Sequence, residues 1–317
     1  MDARRDGAGS GSAPIRCSVG VMAHNEERNI GALLEALVTQ QTTRAIPSEL
    51  IVVASGCTDG TKKIVRRWAE RDDRIQLIVQ ARREGKASAV NLFLARAHED
   101  VLVLCSADLV PARDTLDQLV APFADPAIGL TTCRPVPVND PRTFLGFAAH
   151  LQWELHHQMN LVAFKAGELI AFRKVFQRIP YTTSVDEACI EPVVRGQGYG
   201  VRYVGSAVVH NKGPETLEDF LSQRRRIYAG HLALKHEVGY RVSTMSAWNV
   251  LRLLVKGMDW RPRPFVWTCA VAGLEAFGRL LGTRDYQEKR DHTVWRVATT
   301  TKRLGPVLRP SSAAETP

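Results

Sequence analysis

Strand-like and helix-like segments alternate without interruption from residue 16 to residue 105. Residues 16–22, 50–53, 75–79 and 101–105 are short apolar runs of strand character. Between them, 27–40, 61–70 and 86–97 carry apolar residues at helical spacing, with Ile30, Leu33, Leu34 and Leu37 in the first. Alternation at this spacing predicts an α/β fold, a Rossmann-like and mostly parallel sheet flanked by helices. Ligands of such sheets sit at the carboxyl ends of the strands. Polar loops at 23–26, 55–60 and 106–108 follow strand ends, so a site is expected there.

The alternation breaks down after about residue 128. Residues 129–135 and 201–209 read as strands, 144–163 as a helix with Trp153, Glu154, His156 and His157, and 217–234 as a basic helix. His156, His157, His231 and His236 are expected on helix faces at the surface. Residues 246–304 read as helical, basic and Trp-bearing. These patterns divide the chain into a tail (1–14), an α/β domain (15–240), a C-terminal helical extension (241–305) and a second tail (306–317), both tails having the composition of disorder. Residues 1–13 are polar and do not resemble a secretory leader. The most apolar stretch, 265–281, is interrupted by Glu275 and Arg279 and is shorter than a span of about 20 residues, so no membrane crossing is expected.

Lys and Arg total 42 against 33 Asp and Glu, a formal charge of +9. That excess favours anionic partners. No basic stripe interleaved with aromatics and no zinc-finger spacing occurs, so nucleic acid is not expected among them. Six cysteines (17, 57, 105, 133, 189 and 269) form no CxxC pair and read as small apolar residues in a reducing cytosol.

Taken singly, the polar loops have plain structural readings. Asn25-Glu26 could cap a helix. Thr58 or Asp59 could cap the next one. Gly85-Lys86 offers backbone N–H groups and an ammonium to a phosphate, without the P-loop spacing. Asp108 closes a buried strand, where a hard divalent cation bridging phosphates would be held.

Their order is more specific. AHNE at 23–26, ELIVV followed by SGCTDGT at 49–61, GKASAVN at 85–91 and SAD at 106–108 together resemble the family 2 glycosyltransferases of the GT-A fold. The resemblance extends to 165–173, to Asp186-Glu187 followed by 198–201, to the strand ending at His210 and to Gln223–Ile227, covering about 16–235. It implies an inverting hexosyltransferase that moves a sugar from a nucleotide-diphospho-sugar, a UDP-sugar with a GDP-sugar as alternative, to a hydroxyl acceptor that is lipid-linked or a small molecule. Ala23, Asn25, Glu26, Ser55 and Asp59 would hold the donor's base and ribose. Lys86 and Asn91 would line the nucleotide pocket, with Ser106 and Ala107 beside them. Asp108 and His210 would ligate Mg²⁺ or Mn²⁺. Glu187 or Asp186 would be the general base, and Gln223 and Arg226 would close over the diphosphate or the acceptor.

Two departures stand out. Ala54-Ser55 replaces the family's D-D, and Ser106 replaces the first Asp of D-x-D. Fewer charged oxygen ligands weaken a metal site, which keeps a second reading open: a catalytically silent relative that binds nucleotide sugars or acts as a scaffold. Aromatic and basic residues interleaved along 248–279 suggest contact with a membrane surface at the cytoplasmic face, a helical lid packed on the core, or a homodimer contact.

Overall fold

A computed structural model describes residues 13–295, 298–302 and 304, so the expected tails 1–12 and 306–317 lie outside the described residues. Eight strands form one sheet: β1 (Ile15–Ala23), β2 (Ala45–Ser55), β3 (Ile75–Gln80), β4 (Val101–Ser106), β5 (Val110–Pro111), β6 (Ile128–Pro137), β7 (Leu169–Arg173) and β8 (Gly200–Asn211). Their order is β3-β2-β1-β4-β7-β6-β8-β5. The first four run parallel, as the alternation predicts. β7 runs antiparallel to both β4 and β6. It lies in a segment read from sequence only as a motif, because its five residues, LIAFR, are too few to show a period.

The helices are α1 (Ile30–Val38), α2 (Thr61–Ala69), α3 (Lys86–Arg96), α4 (Thr115–Val120), α5 (Phe144–Asn160), α6 (Asp186–Gly196), α7 (Leu217–Glu237), α8 (Ala247–Lys256) and α9 (Pro262–Gln287). α1 begins three residues later than its apolar spacing suggested, because residues 25–27 are tied into the neighbouring loop instead.

Successive residues of a strand face opposite sides, and the core divides accordingly. Val19, Val21, Val52 and Val103 pack with Leu33, Leu34 and Leu37 of α1. Ile51, Val53, Leu102 and Leu104 pack with Phe93 and Leu94 of α3 and Ile190 of α6. A Cβ on Gly20 would lie 2.5 Å from the Phe93 ring, so α3 closes on β1 only because that residue is glycine. Five of the cysteines are buried and Cys269 is exposed; all six are free thiols.

α9 is 26 residues long, longer than its apolar stretch suggested: Pro262 starts it at a position where proline is pre-organised, and it continues through Asp285. By length and composition alone it is long and apolar enough to cross a membrane. One stripe of it, Thr268, Val271, Gly278, Gly282 and Asp285, is buried. Gly278 and Gly282 admit the backbone of α7: added Cβ atoms would lie 2.8 Å from Arg224 Cβ and 2.6 Å from the Arg225 carbonyl oxygen. Asp285 is fully buried and pairs with Arg225, with Arg290 at 3.3 Å and His292 at 3.1 Å.

Candidate functional site

The carboxyl ends of β1, β2 and β4 open into one cleft of about 350 Å³, the size of a small-molecule site. Ala23, Glu26, Ser55, Ser106, Ala107 and Asp108 line its near end. Lys86, Glu168, Asp186, Glu187 and Arg226 line its middle. Gln223 belongs to the far end, with Trp153, His156, Lys165, Arg224 and His231.

Asn25, Asp59, Asn91 and His210 do not line the cleft. Asn25 adopts φ +53°, a left-handed conformation that asparagine tolerates. Its Oδ1 accepts from the Thr58 N–H at 2.8 Å. Asp59 accepts from the Thr61 N–H at 3.0 Å and from the Glu27 N–H at 3.1 Å. Burial opposes the Asp59 carboxylate, but these bonds outweigh it and lower its pKa. Both residues therefore lock the 23–27 loop to the 55–61 loop and present the residues beside them. Asn91 is buried; its side chain donates to the Ile179 carbonyl at 3.0 Å and accepts from the Ile179 N–H at 2.8 Å. It pins the segment that leads to α6.

His210 pairs across β8 with Val110 and Val136. The alternation of β8 turns the next residue, Asn211, into the cleft. Asn211 is 6% exposed, and its Oδ1 has no hydrogen-bond partner. Among the described residues, no three His, Cys, Asp or Glu side chains gather closely enough to hold a metal. A divalent cation here would rest on Asp108, on neutral oxygens such as the orphaned Asn211 Oδ1, and on the ligand's own phosphates. Sequence reasoning missed Asn211 because it counted ligands by residue type, not by the face of the strand.

Lys86, the first residue of α3, lies 2.9 Å from Asp186 Oδ2 and also pairs with Glu187 Oε1. Burial opposes the Lys86 ammonium, but the two carboxylates outweigh it and raise its pKa. The carboxylates are the first two residues of α6, where the helix dipole favours negative charge. Burial and then Asp186 raise the Glu187 pKa, with Lys86 opposing. Asp186 is 3% exposed, whereas Glu187 is more open to the cleft. The Arg226 guanidinium donates to the Ser184 carbonyl at 3.0 Å and stacks 4.0 Å from the Trp295 ring centroid.

Glu168 was not singled out in the sequence. Burial, then Asp108 and Glu187, raise its pKa to about 7. Glu26 is likewise raised to about 7, by burial and then Asp108, against the opposing charge of Lys302. Lys302 pairs with Glu26 and donates to the His24 carbonyl at 3.0 Å. The C-terminal strap that carries Trp295 and Lys302 thus lies over the near end of the cleft. A strap 276 residues distant from Glu26 leaves no local signal in sequence.

Two expectations about histidines are corrected. His156 and His231 are 5% and 6% exposed, because α5 and α7 turn them towards the cleft and not towards solvent. His157 meets the Tyr203 hydroxyl at 2.6 Å, and His236 stacks on Tyr286.

A family model described as glycosyl transferase family 2 matches residues 18–181. Glycosyltransferase AglE of Haloferax volcanii is 28% identical over 113 residues, 36% of this chain and 37% of its own. The probable glycosyltransferase YdaM of Bacillus subtilis is 26% identical over 234 residues, 68% of this chain and 55% of its own. The chain therefore spans about half or less of the length of these relatives. Among solved structures, the mannosyltransferase PcManGT from Pyrobaculum calidifontis, in complex with GDP-Man and Mn²⁺, matches with a TM-score of 0.64 at 21% identity, covering 88% of this chain and 89% of that one.

Proposed function

This chain belongs to glycosyl transferase family 2 and has the GT-A fold, and from that premise we propose that it transfers a sugar from a nucleotide-diphospho-sugar to a hydroxyl acceptor with inversion at the anomeric carbon. The observation that carries the reading is the Lys86–Asp186–Glu187 cluster, set midway along the cleft between the loop ends of β1, β2 and β4 and the polar far end. Glu187 is the base. It takes the proton from the acceptor hydroxyl as that oxygen forms its bond to the anomeric carbon, while the bond from that carbon to the diphosphate breaks on the opposite face. A single displacement of this kind inverts the centre. Asp186 and Lys86 hold Glu187 in place, and Lys86 keeps it ionised.

On this reading the base and ribose of the donor lie on Ala23, Glu26 and Ser55. Asn25 and Asp59 support that wall from behind, whereas Asn91 pins the segment leading to α6. Asp108 would hold Mg²⁺ or Mn²⁺, with Asn211 Oδ1 taking the part that the sequence suggested for His210, and a bound ion would supply positive charge to the diphosphate. Arg226 does the same from the protein side, and Gln223, at the far end, faces the acceptor. Mn²⁺ accompanies GDP-Man in the complex of PcManGT, which supports a metal and puts a GDP-sugar beside a UDP-sugar among the donors to test.

The division into an α/β domain over 15–240 and a helical extension over 241–305 gives the extension a separate task. Trp248 and Trp260 are each 72% exposed, and Leu251, Val255, Val266 and Leu280 are exposed along α8 and α9. Arg252, Lys256, Arg261 and Arg263 lie among these side chains in the sequence. An apolar surface ringed by cations suits an anionic bilayer, and free cysteines suit its cytoplasmic side.

The deciding experiment is a thermal-shift and calorimetric ranking of UDP- and GDP-sugars with and without Mn²⁺, followed by donor hydrolysis. Stabilisation by one donor that Mn²⁺ enhances, with measurable hydrolysis, is the expected result. Binding without hydrolysis or transfer would leave a nucleotide-sugar-binding protein. A folded chain that binds no donor would remove the proposal.

A further inference from the structure

The far end of the cleft is short of negative charge. Lys165 and Arg224 both line it, and among the described residues neither has a carboxylate at ion-pair distance. Arg224 Nε is fully inaccessible to solvent and has no hydrogen-bond partner; its Nη2 makes one contact of 3.3 Å, to Gln223 Oε1. Lys165 and Arg224 lie within electrostatic reach of each other and of Arg279. The carboxylates that face them are Glu275, bonded to Arg279 at 3.0 Å, and Glu168, raised to about 7. Three cations thus face two carboxylates, one of them half protonated near neutrality. Burial and then Arg224 lower the Lys165 pKa to about 8. His231 is buried and faces Lys165, Arg224 and Arg279, so it stays neutral. His156 stays neutral beside Lys165, and its ring is already held by Asn160 and by the Ala166 backbone. The neutral His231 imidazole still carries one N–H donor.

Lys165 and Arg224 are half-buried; cations partly removed from water without a partner are costly, and natural sites retain them where a ligand supplies the missing charge. The run Gln223–Ile227 shows how local the arrangement is. Arg225 turns outwards to Asp285, Arg226 turns to the catalytic carboxylates, and Arg224 alone reaches the far end. A lysine ammonium, a guanidinium fork and the His231 imidazole around one space match the oxygens of a phosphate group.

We propose that Lys165, Arg224 and His231 form a phosphate subsite at the acceptor end of the cleft, so that the acceptor is a hydroxyl compound that carries a phosphate. This rests on the glycosyltransferase reading, which places the donor at the opposite end. The phosphate belongs either to a soluble phosphoester or to a lipid headgroup, and the same subsite serves both.

The test is calorimetric titration of inorganic phosphate into the full chain saturated with UDP or GDP and Mn²⁺. One phosphate per chain should bind in addition to the nucleotide. K165Q and R224Q should each weaken that binding at least tenfold, leaving nucleotide affinity within twofold and the thermal midpoint near wild type. If R224Q fails to fold, R224K, which keeps the charge and loses the fork, should weaken phosphate by a smaller factor. Two further arms identify the source. Glycerol phosphate should compete if the ligand is soluble, whereas vesicles containing phosphatidic acid should compete alone if it is a headgroup. Phosphate that is displaced by the nucleotide, or that binds equally to both variants, overturns the subsite. Failure of the wild type to bind any nucleotide overturns the donor reading instead.

Discussion

Lys86 at the start of α3 holds Asp186 at the start of α6, with its ammonium 2.9 Å from Asp186 Oδ2. The two residues are 100 positions apart, and the same ammonium also reaches Glu187. Two adjacent carboxylates would repel one another, and the Lys86 ammonium set against both opposes that repulsion.

E187Q should therefore lower turnover by roughly 10²–10⁴-fold, the range for losing a general base, with donor affinity unchanged. K86M should act differently. Removing the ammonium raises the Glu187 pKa further, so the base stays protonated to higher pH. The rising limb of the pH–rate profile should move upwards in K86M, and steady-state rates from pH 5 to 9 would show it. An unmoved limb with lower rates at every pH would mean that Lys86 does not set the charge of Glu187.

Glu168 is raised to about 7 in the folded chain, against an unfolded value near 4.3. The folded state thus binds more protons than the unfolded state between those values, so this residue lowers stability as pH rises through that window. E168Q removes the effect. Denaturation midpoints of E168Q and wild type should converge near pH 4.5, and the variant should be the more stable at pH 7.5. Equal midpoints at both pH values would count against the raised pKa.

Asp285 is fully buried and collects Arg225, Arg290 and His292 between α7 and α9. Taking one member out of a buried charged cluster leaves the others uncompensated. D285A should cost about 3 kcal/mol in guanidinium unfolding, and protease should cut α9 sooner. Loss of stability with α9 still protected would show that the glycine contacts with α7 hold the helix by themselves.

Gly85 has φ +90°, and a Cβ there would lie 2.6 Å from the Thr293 carbonyl oxygen. Alanine at this position meets both an unfavourable backbone conformation and the strap. G85A should lose about 1–3 kcal/mol and make 288–304 more sensitive to protease than in wild type. A variant with a normal melt and a protected strap would contradict the packing of Thr293 on Gly85.

The apolar spacing of residues 16–105 determined the parallel half of the sheet, since burial on two faces demands apolar strands and one-sided helices. Loop order determined which strand ends carry the site. Local spacing could not reveal β7, which is only five residues long and finds its place between β4 and β6 by long-range pairing. It also could not separate residues that line the cleft from residues that build its wall. Asn25, Asp59 and Asn91 have the polar chemistry of a binding site, yet spend their hydrogen bonds on neighbouring loops. Asn211 replaces His210 at the cleft because adjacent residues of a strand face opposite ways. Lys302 on Glu26, Lys86 on Asp186 and Lys165 beside Arg224 join parts of the chain that only folding brings together. Chain order set by local hydrophobicity fixes the scaffold, whereas the charges that decide the chemistry meet across long loops, and tertiary packing alone selects those meetings.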